Sequence, residues 1–127
     1  MGPKLGVTSR PYNVWWDEDT HVIRCEWAAG VVCGELEARE ATAAVAALGR
    51  GSVPLLVDMR TMAKLERGAR EEFKVNKGGV SAMALLVGSA VTKMLANFFM
   101  RTDADNTPTR MFTDESAAIE WLHGPRS

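Results

Sequence analysis

In His21-Val22-Ile23-Arg24-Cys25-Glu26-Trp27 the side chains alternate, with Ile23, Cys25 and Trp27 on one face and Arg24 and Glu26 on the other. A period of two is the signature of a half-buried strand. Upstream, Tyr12 to Trp16 is rich in β-formers, and Asp17-Glu18-Asp19-Thr20 is a polar connector of hairpin length. An antiparallel hairpin is therefore predicted to open the domain. From about Gly34 to Leu48 the residues are strong helix formers, with Glu35, Glu37 and Glu40 near the start, where the helix dipole favours acids. Leu36, Ala41, Ala44, Val45 and Leu48 form the predicted apolar face, and Gly49 and Gly51 supply the stop.

Two later runs are apolar without alternation: Val53-Pro54-Leu55-Leu56-Val57, closing on Asp58, and Ala82 to Val87. Both read as strands buried on two faces. Between them a helix is predicted near Glu66 to Lys74, with Leu65, Ala69 and Phe73 as its apolar stripe, broken by Lys77-Gly78-Gly79. Gly88-Ser89 leads into a helix reaching about Arg101, with Val91, Leu95 and Phe98 on its inner side and Met100 opposite. Thr102 to Pro108 reads as a loop and Thr109 to Phe112 as a last strand. Thr113-Asp114-Glu115-Ser116 opens a terminal helix through Leu122, ended by Gly124-Pro125. The order β-β-α-β-α-β-α-β-α implies an α/β fold: parallel neighbours, right-handed crossovers and an antiparallel edge from the hairpin. Residues 1–11 read as a loose tail, 12–123 as one domain and 124–127 as a C-terminal tail.

With 127 residues, 13.9 kDa, 46% apolar and 24% charged types, the chain can bury a core without disulfides or metal. A formal charge of −1 and a pI near 6.1 signal neither nucleic acid nor a membrane surface as partner. Residues 60–77 carry six Lys or Arg against three Glu, but Phe73 is their one aromatic, and the aromatic interleaving of a single-strand-binding groove is missing. No apolar h-region follows Met1, and the longest apolar stretches are too short to cross a bilayer, so a cytoplasmic location and no membrane span are expected. Cys25 and Cys33 fit neither a redox motif nor a zinc pair and read as buried thiols. His21 and His123 lie far apart without ligand spacing, so no metal and no cofactor is expected.

Several segments together resemble the STAS domains, the bacterial anti-sigma-factor antagonists with the SpoIIAA-like fold. Gly34-Glu35-Leu36-Glu37 is similar to the Gly-Glu-Leu-Asp that opens the family's first helix. Leu55-Leu56-Val57-Asp58-Met59 resembles its central strand, and Met83 to Leu95, including Val87-Gly88-Ser89-Ala90-Val91, its fourth strand and third helix. Arg110 to Ala118 resembles its closing strand and helix. The resemblance runs from about Val14 to Leu122 and implies a mixed sheet of about five strands with an N-terminal antiparallel hairpin and about four helices. It also implies a binding role. The family's antagonists carry Asp-Ser-Ser-Gly at the start of the second helix, where a serine accepts phosphate; the aligned stretch here is Glu66-Arg67-Gly68-Ala69, with no hydroxyl. Serine phosphorylation at that position is not expected. The same broad fold includes lipid-carrying CRAL-TRIO-like relatives and small uncharacterised bacterial proteins, and this chain resembles the latter most.

Catalysis is not expected, an enzyme using Ser89 or Asp58 being the third reading the residues offer. Ser89 stands where a strand feeds a helix, but the G-x-S-x-G pattern is absent and an N-cap explains it. The paired carboxylates Asp17/Asp19, Glu71/Glu72 and Asp103/Asp105 read as solvated charge. In open α/β sheets ligands settle beyond the carboxyl ends of parallel strands; that edge would collect Asp58, Arg60 and Thr61, then Gly88 and Ser89, then Thr113 and Asp114. Trp15 and Trp16 must point to opposite faces of one strand, leaving one for a contact, and Met100 adds an exposed apolar group. These features lead us to expect a non-catalytic module working through protein contacts, as a homodimer or with a protein partner. The alternative is a small apolar ligand or lipid held between sheet and helices by Met62, Leu65, Phe73, Phe98 and Phe99.

Overall fold

A computed structural model of the chain describes residues 11–48, 51–75, 79–101 and 107–124. Strands β1 (Tyr12–Asp17) and β2 (Val22–Trp27) form the antiparallel hairpin, with Tyr12 opposite Trp27 and Asp17 opposite Val22. A two-residue strand β3 (Val32–Cys33) precedes helix α1 (Glu35–Ala47), followed by β4 (Leu55–Asp58), a second two-residue strand β5 (Lys64–Leu65) and α2 (Arg67–Val75). Then come β6 (Met83–Leu86), α3 (Ala90–Arg101), β7 (Thr109–Phe112) and α4 (Glu115–His123). The main sheet has the order β1-β2-β4-β6-β7, parallel throughout except at β1. The proposed tail at 1–11 lies outside the described residues except for Pro11, and of 124–127 only Gly124 is described, as the cap of α4.

Strand order never reverses from β2 to β7, so three crossovers of the same hand place α1, α2 and α3 on one face. There Ile23, Cys25, Trp27, Leu55, Val57, Met83 and Leu85 pack against Ala38, Ala41, Val45, Ala69, Phe73 and Ala96. On the other face only α4 returns, setting Ala118 and Leu122 on Leu56, Ala84, Leu86 and Val22. This asymmetry explains the sequence pattern. β4 and β6 are covered on both faces and read as continuous apolar runs. β2 lies largely beyond α4, so its second face carries Arg24 and Glu26, and alternation survives.

Two predicted helix faces are corrected. In α1 the buried positions are Ala38, Ala41, Thr42 and Val45, while Leu36 is 59% exposed. Thr42 is tolerated inside because its hydroxyl donates to the carbonyls of Ala38 and Arg39 (3.0 Å each). In α3 the inner positions among the described side chains are Thr92 and Ala96, and Val91 is 48% exposed. The side chains of Leu95, Phe98, Phe99 and Met100 lie outside the described residues. β3 and β5 were not expected at all. They pair in parallel beyond the carboxyl ends of β2 and β4, with Val32 opposite Lys64 and Cys33 opposite Leu65.

On the half of the sheet that α4 leaves open, Arg24 donates to Asp17 (2.7 Å) and to Glu115 in the first turn of α4 (3.0 Å). Burial pushes the Asp17 carboxyl up. Hydrogen bonds from the Thr20 hydroxyl, the Arg24 guanidinium and the Asp19 N–H outweigh it and hold Asp17 below its ordinary value. A carboxylate whose folded pKa is depressed stabilises the fold above its unfolded pKa, and that contribution is lost as pH falls through the folded pKa. Asp17→Asn is therefore expected to cost about 1–2 kcal/mol at neutral pH. The penalty should shrink once pH drops below the ordinary carboxylate range. Urea unfolding of both proteins at neutral and acidic pH measures it; a pH-independent difference would contradict this account.

Candidate functional site

β2 and β4 end side by side, and their register sets Glu26 against Asp58 on the α4 side of the sheet, with Asn13 of β1 opposite Glu26. Beyond them the chain turns after Met59, whose N–H bonds to the Leu86 carbonyl (3.0 Å). Asn13, Glu26, Asp58, Arg60 and Thr61, with the Trp27–Ala29 segment, enclose an open groove of about 550 Å³. Arg60 folds back on Asp58: Nε lies 3.0 Å from Oδ1, Nη2 2.7 Å from Oδ2, and the Arg60 N–H also donates to Oδ1 (3.2 Å). This two-pronged bond is the main reason the guanidinium's pKa is raised. The Arg60 stem lies over Gly88, where a Cβ would stand 3.2 Å from Arg60 Cβ. A glycine between β6 and α3 thus lets the arginine lie flat. The groove presents two carboxylates and one guanidinium that is already bonded, which suits a polar ligand rather than an apolar one.

Ser89 stands beside this loop but does not line the groove. Its Oγ accepts from the Thr92 N–H (3.2 Å), and Thr92 Oγ1 accepts from the N–H groups of Gly88 and Ser89 (2.9 Å each). The two hydroxyls themselves are 3.2 Å apart. Ser89 is the N-cap of α3, and among the described residues its Oγ has no carboxylate or imidazole partner. Asp114 caps α4 in the same way, accepting from the Ala117 N–H (2.8 Å).

The candidate residues therefore do not gather into one site. Asp58, Arg60 and Thr61 meet in the groove, and Ser89 adjoins it. Trp16 packs on the helix-covered face, its Nε1 donating to Glu18 (2.8 Å) and its ring 6.1 Å from that of His21. Trp15 faces the other side, opposite Arg24, and both tryptophans are half-buried. The Met100 side chain lies outside the described residues. Sequence reasoning missed Asn13 and Glu26. The alternation of β2 had placed Glu26 on the polar face at the strand's carboxyl end, which was the signal available. It also missed Val32 (46% exposed) and Met94 (57%) as apolar groups on the surface.

The start of α2, the stretch that resembles the STAS Asp-Ser-Ser-Gly in position, is closely packed on α1 at Gly68. Gly68 lies so near α1 that a Cβ there would stand 2.9 Å from Glu35 Cβ and 3.6 Å from Glu35 Cα. Glu37 and Glu66 lie near the same corner, where their charges reinforce the effect of burial in pushing the Cys33 thiol up to about 12. Cys25 is likewise buried and pushed up, burial being the first cause. Both cysteines are free thiols with little thiolate character. Among the described residues no three His, Cys, Asp or Glu side chains converge as metal ligands, and no helix is long and apolar enough to cross a membrane.

Beneath α1 lies an apolar void of about 30 Å³, lined by Cys25, Trp27, Val45 and Phe73 among others. That is room for one water-sized probe, against roughly 300 Å³ or more for a small-molecule pocket. Met62 and Leu65 are buried in the packed core, while the Phe98 and Phe99 side chains lie outside the described residues.

A solved structure shares this architecture. An uncharacterised protein of the DUF3478 family with a SpoIIAA-like fold, from Shewanella loihica PV-4, is similar over 87% of this chain and 91% of its own, at 17% identity and a TM-score of 0.56. A protein of unknown function from Arthrobacter sp. FB24 is 37% identical over 87% of this chain and 97% of its own, with a TM-score of 0.35. No curated protein matches. The model of the family described as "Domain of unknown function (DUF7793)" matches residues 14–125. With a SpoIIAA-like fold and a match spanning most of its length, the chain belongs to the DUF7793 family.

Proposed function

We propose that this protein is a non-catalytic, cytoplasmic bacterial interaction module that works through protein–protein contacts as a homodimer, without a serine phosphorylation switch. One observation carries the reading: in the stretch aligned with the one where STAS antagonists receive phosphate, a Cβ added at Gly68 would stand only 2.9 Å from Glu35 Cβ. A side chain there would have to part α1 from α2, and a phosphate would enter a corner already holding Glu35, Glu37 and Glu66. The capping roles of Ser89 and Asp114 and the pairing of Asp58 with Arg60 support an absence of chemistry.

A second reading, a small-molecule site, is supported by the polar groove at Asn13, Glu26, Asp58, Arg60 and Thr61. Native mass spectrometry of the purified protein over a range of concentrations separates the two. The first reading expects a species of twice 13.9 kDa that grows with concentration. A monomer carrying a bound small molecule would favour the second reading. Phosphate recovered on the peptide around Gly68, or turnover lost on Ser89→Ala, would overturn the first.

A further inference from the structure

We propose that the outer edge of β7 is where two copies of this chain join, pairing their β7 strands antiparallel about a two-fold axis into one continuous sheet. The proposal rests on the homodimeric reading above and adds the place of contact. In the parallel β6–β7 pair, Met83 stands opposite Thr109 and Leu85 opposite Met111. The N–H groups of Met83 and Val87 donate to the carbonyls of Pro108 and Phe112 (2.8 Å each). This register turns the backbone groups of Arg110 and Phe112 toward β6 and those of Thr109 and Met111 outward. Among the described residues nothing bonds to these outward groups.

Sheet edges are commonly protected by a bulge, an internal proline, charged side chains or a covering segment. β7 has no internal proline, and Pro108 just before it lacks its N–H on the β6 side, so the outer row of donors stays complete. Its one charge is Arg110, whose guanidinium carbon lies 5.3 Å over the Phe112 ring.

That charge selects a second copy as occupant. Arg110 and Phe112 share the α4 side of the strand, and Asp114 follows two residues beyond its end as the N-cap of α4. Antiparallel pairing centred on Met111 sets Arg110 opposite Phe112 of the second copy and diagonally beside its Asp114. Asp114 caps α4 with Oδ2, leaving Oδ1 for such a contact. Moving the centre to Arg110 would place the two arginines face to face, which disfavours that register. A two-fold interface must be self-complementary, and this arrangement makes each contact twice.

Sedimentation equilibrium of the full chain tests it. The wild type should dimerise reversibly. Thr109→Pro removes an outward N–H while sparing the β6 ladder, so Kd should rise at least about tenfold with the circular dichroism unchanged. Arg110→Asp, a substitution of an exposed side chain, should weaken the dimer similarly and carries the test if the proline variant fails to fold. Met111→Cys, on the axis, should give a disulfide-linked dimer released by reductant. A dimer of unchanged Kd in both substitutions would overturn this proposal and leave the homodimeric reading standing. A wild-type monomer at all concentrations would overturn both.

Discussion

Gly68→Asp is expected to cost about 3 kcal/mol and to lower Tm by about 10 °C. The first β-carbon at this position would press on Glu35 Cβ at 2.9 Å and approach Glu35 Cα at 3.6 Å. Neither is the far end of a flexible side chain, so α1 and α2 must separate. The new carboxylate would also meet that of Glu35, whose Oε1 would stand 3.2 Å from the added Cβ, and repulsion adds to the steric cost. Gly68→Ala isolates the steric part. Helix propensity returns about 1 kcal/mol, so the net loss should be about 1 kcal/mol. Glu35→Gly, which deletes the opposing Cβ, should reduce the cost of Gly68→Ala in a double-mutant cycle. Thermal unfolding of the wild type and the four variants measures these differences. An alanine variant more stable than the wild type would mean that the two helices do not meet at this glycine.

Thr92→Val is expected to cost about 2 kcal/mol. Thr92 is 1% exposed, and its Oγ1 accepts from both the Gly88 and Ser89 N–H groups at 2.9 Å. Valine fills nearly the same space but offers no acceptor, so two donors at the start of α3 lose their partner. Ser89→Ala removes only the reciprocal cap and should cost about 1 kcal/mol. Because the two hydroxyls also contact each other, the double substitution should cost less than the sum. Urea unfolding of the three variants gives these differences. A neutral Thr92→Val would show that the loop donors find other acceptors.

The central sheet was legible because burial writes itself into hydrophobic periodicity. Leu55–Val57 and Ala82–Val87 are apolar at every position because α1–α3 cover one face and α4 the other. The hairpin strand alternates because α4 covers only its Val22 end, leaving Arg24 and Glu26 on the open part of that face. The faces of α1 and α3 were less legible. In an alanine-rich helix the contrast between sides is weak, and Leu36 outweighed Ala38 in the reading although Ala38 is the buried one. β3 and β5 have two residues each and so carry no period. For the candidate site, the strand-end rule found Asp58, Arg60 and Thr61, whereas Asn13 and Glu26 looked like solvated strand residues until the register brought them alongside. The absence of a hydroxyl at Gly68 could be read directly. Its contact with Glu35 could not, since they are 33 positions apart (68 − 35) and no local pattern links them.

The pairing of β3 with β5 stitches the segment after β2 to the segment after β4. Gly30 N–H bonds to Thr61 O (2.8 Å), Ala63 N–H to Val31 O (2.9 Å) and Glu66 N–H to Cys33 O (2.9 Å). In most α/β proteins such segments diversify by changing length, since an exposed loop tolerates added residues. Here one inserted residue in either segment would throw the stitches out of step and shift Gly34 or Glu66 from the start of its helix. Divergence around this rim within the family should therefore proceed by exchange of side chains at constant spacing, with length changes accumulating at the opposite end of the sheet.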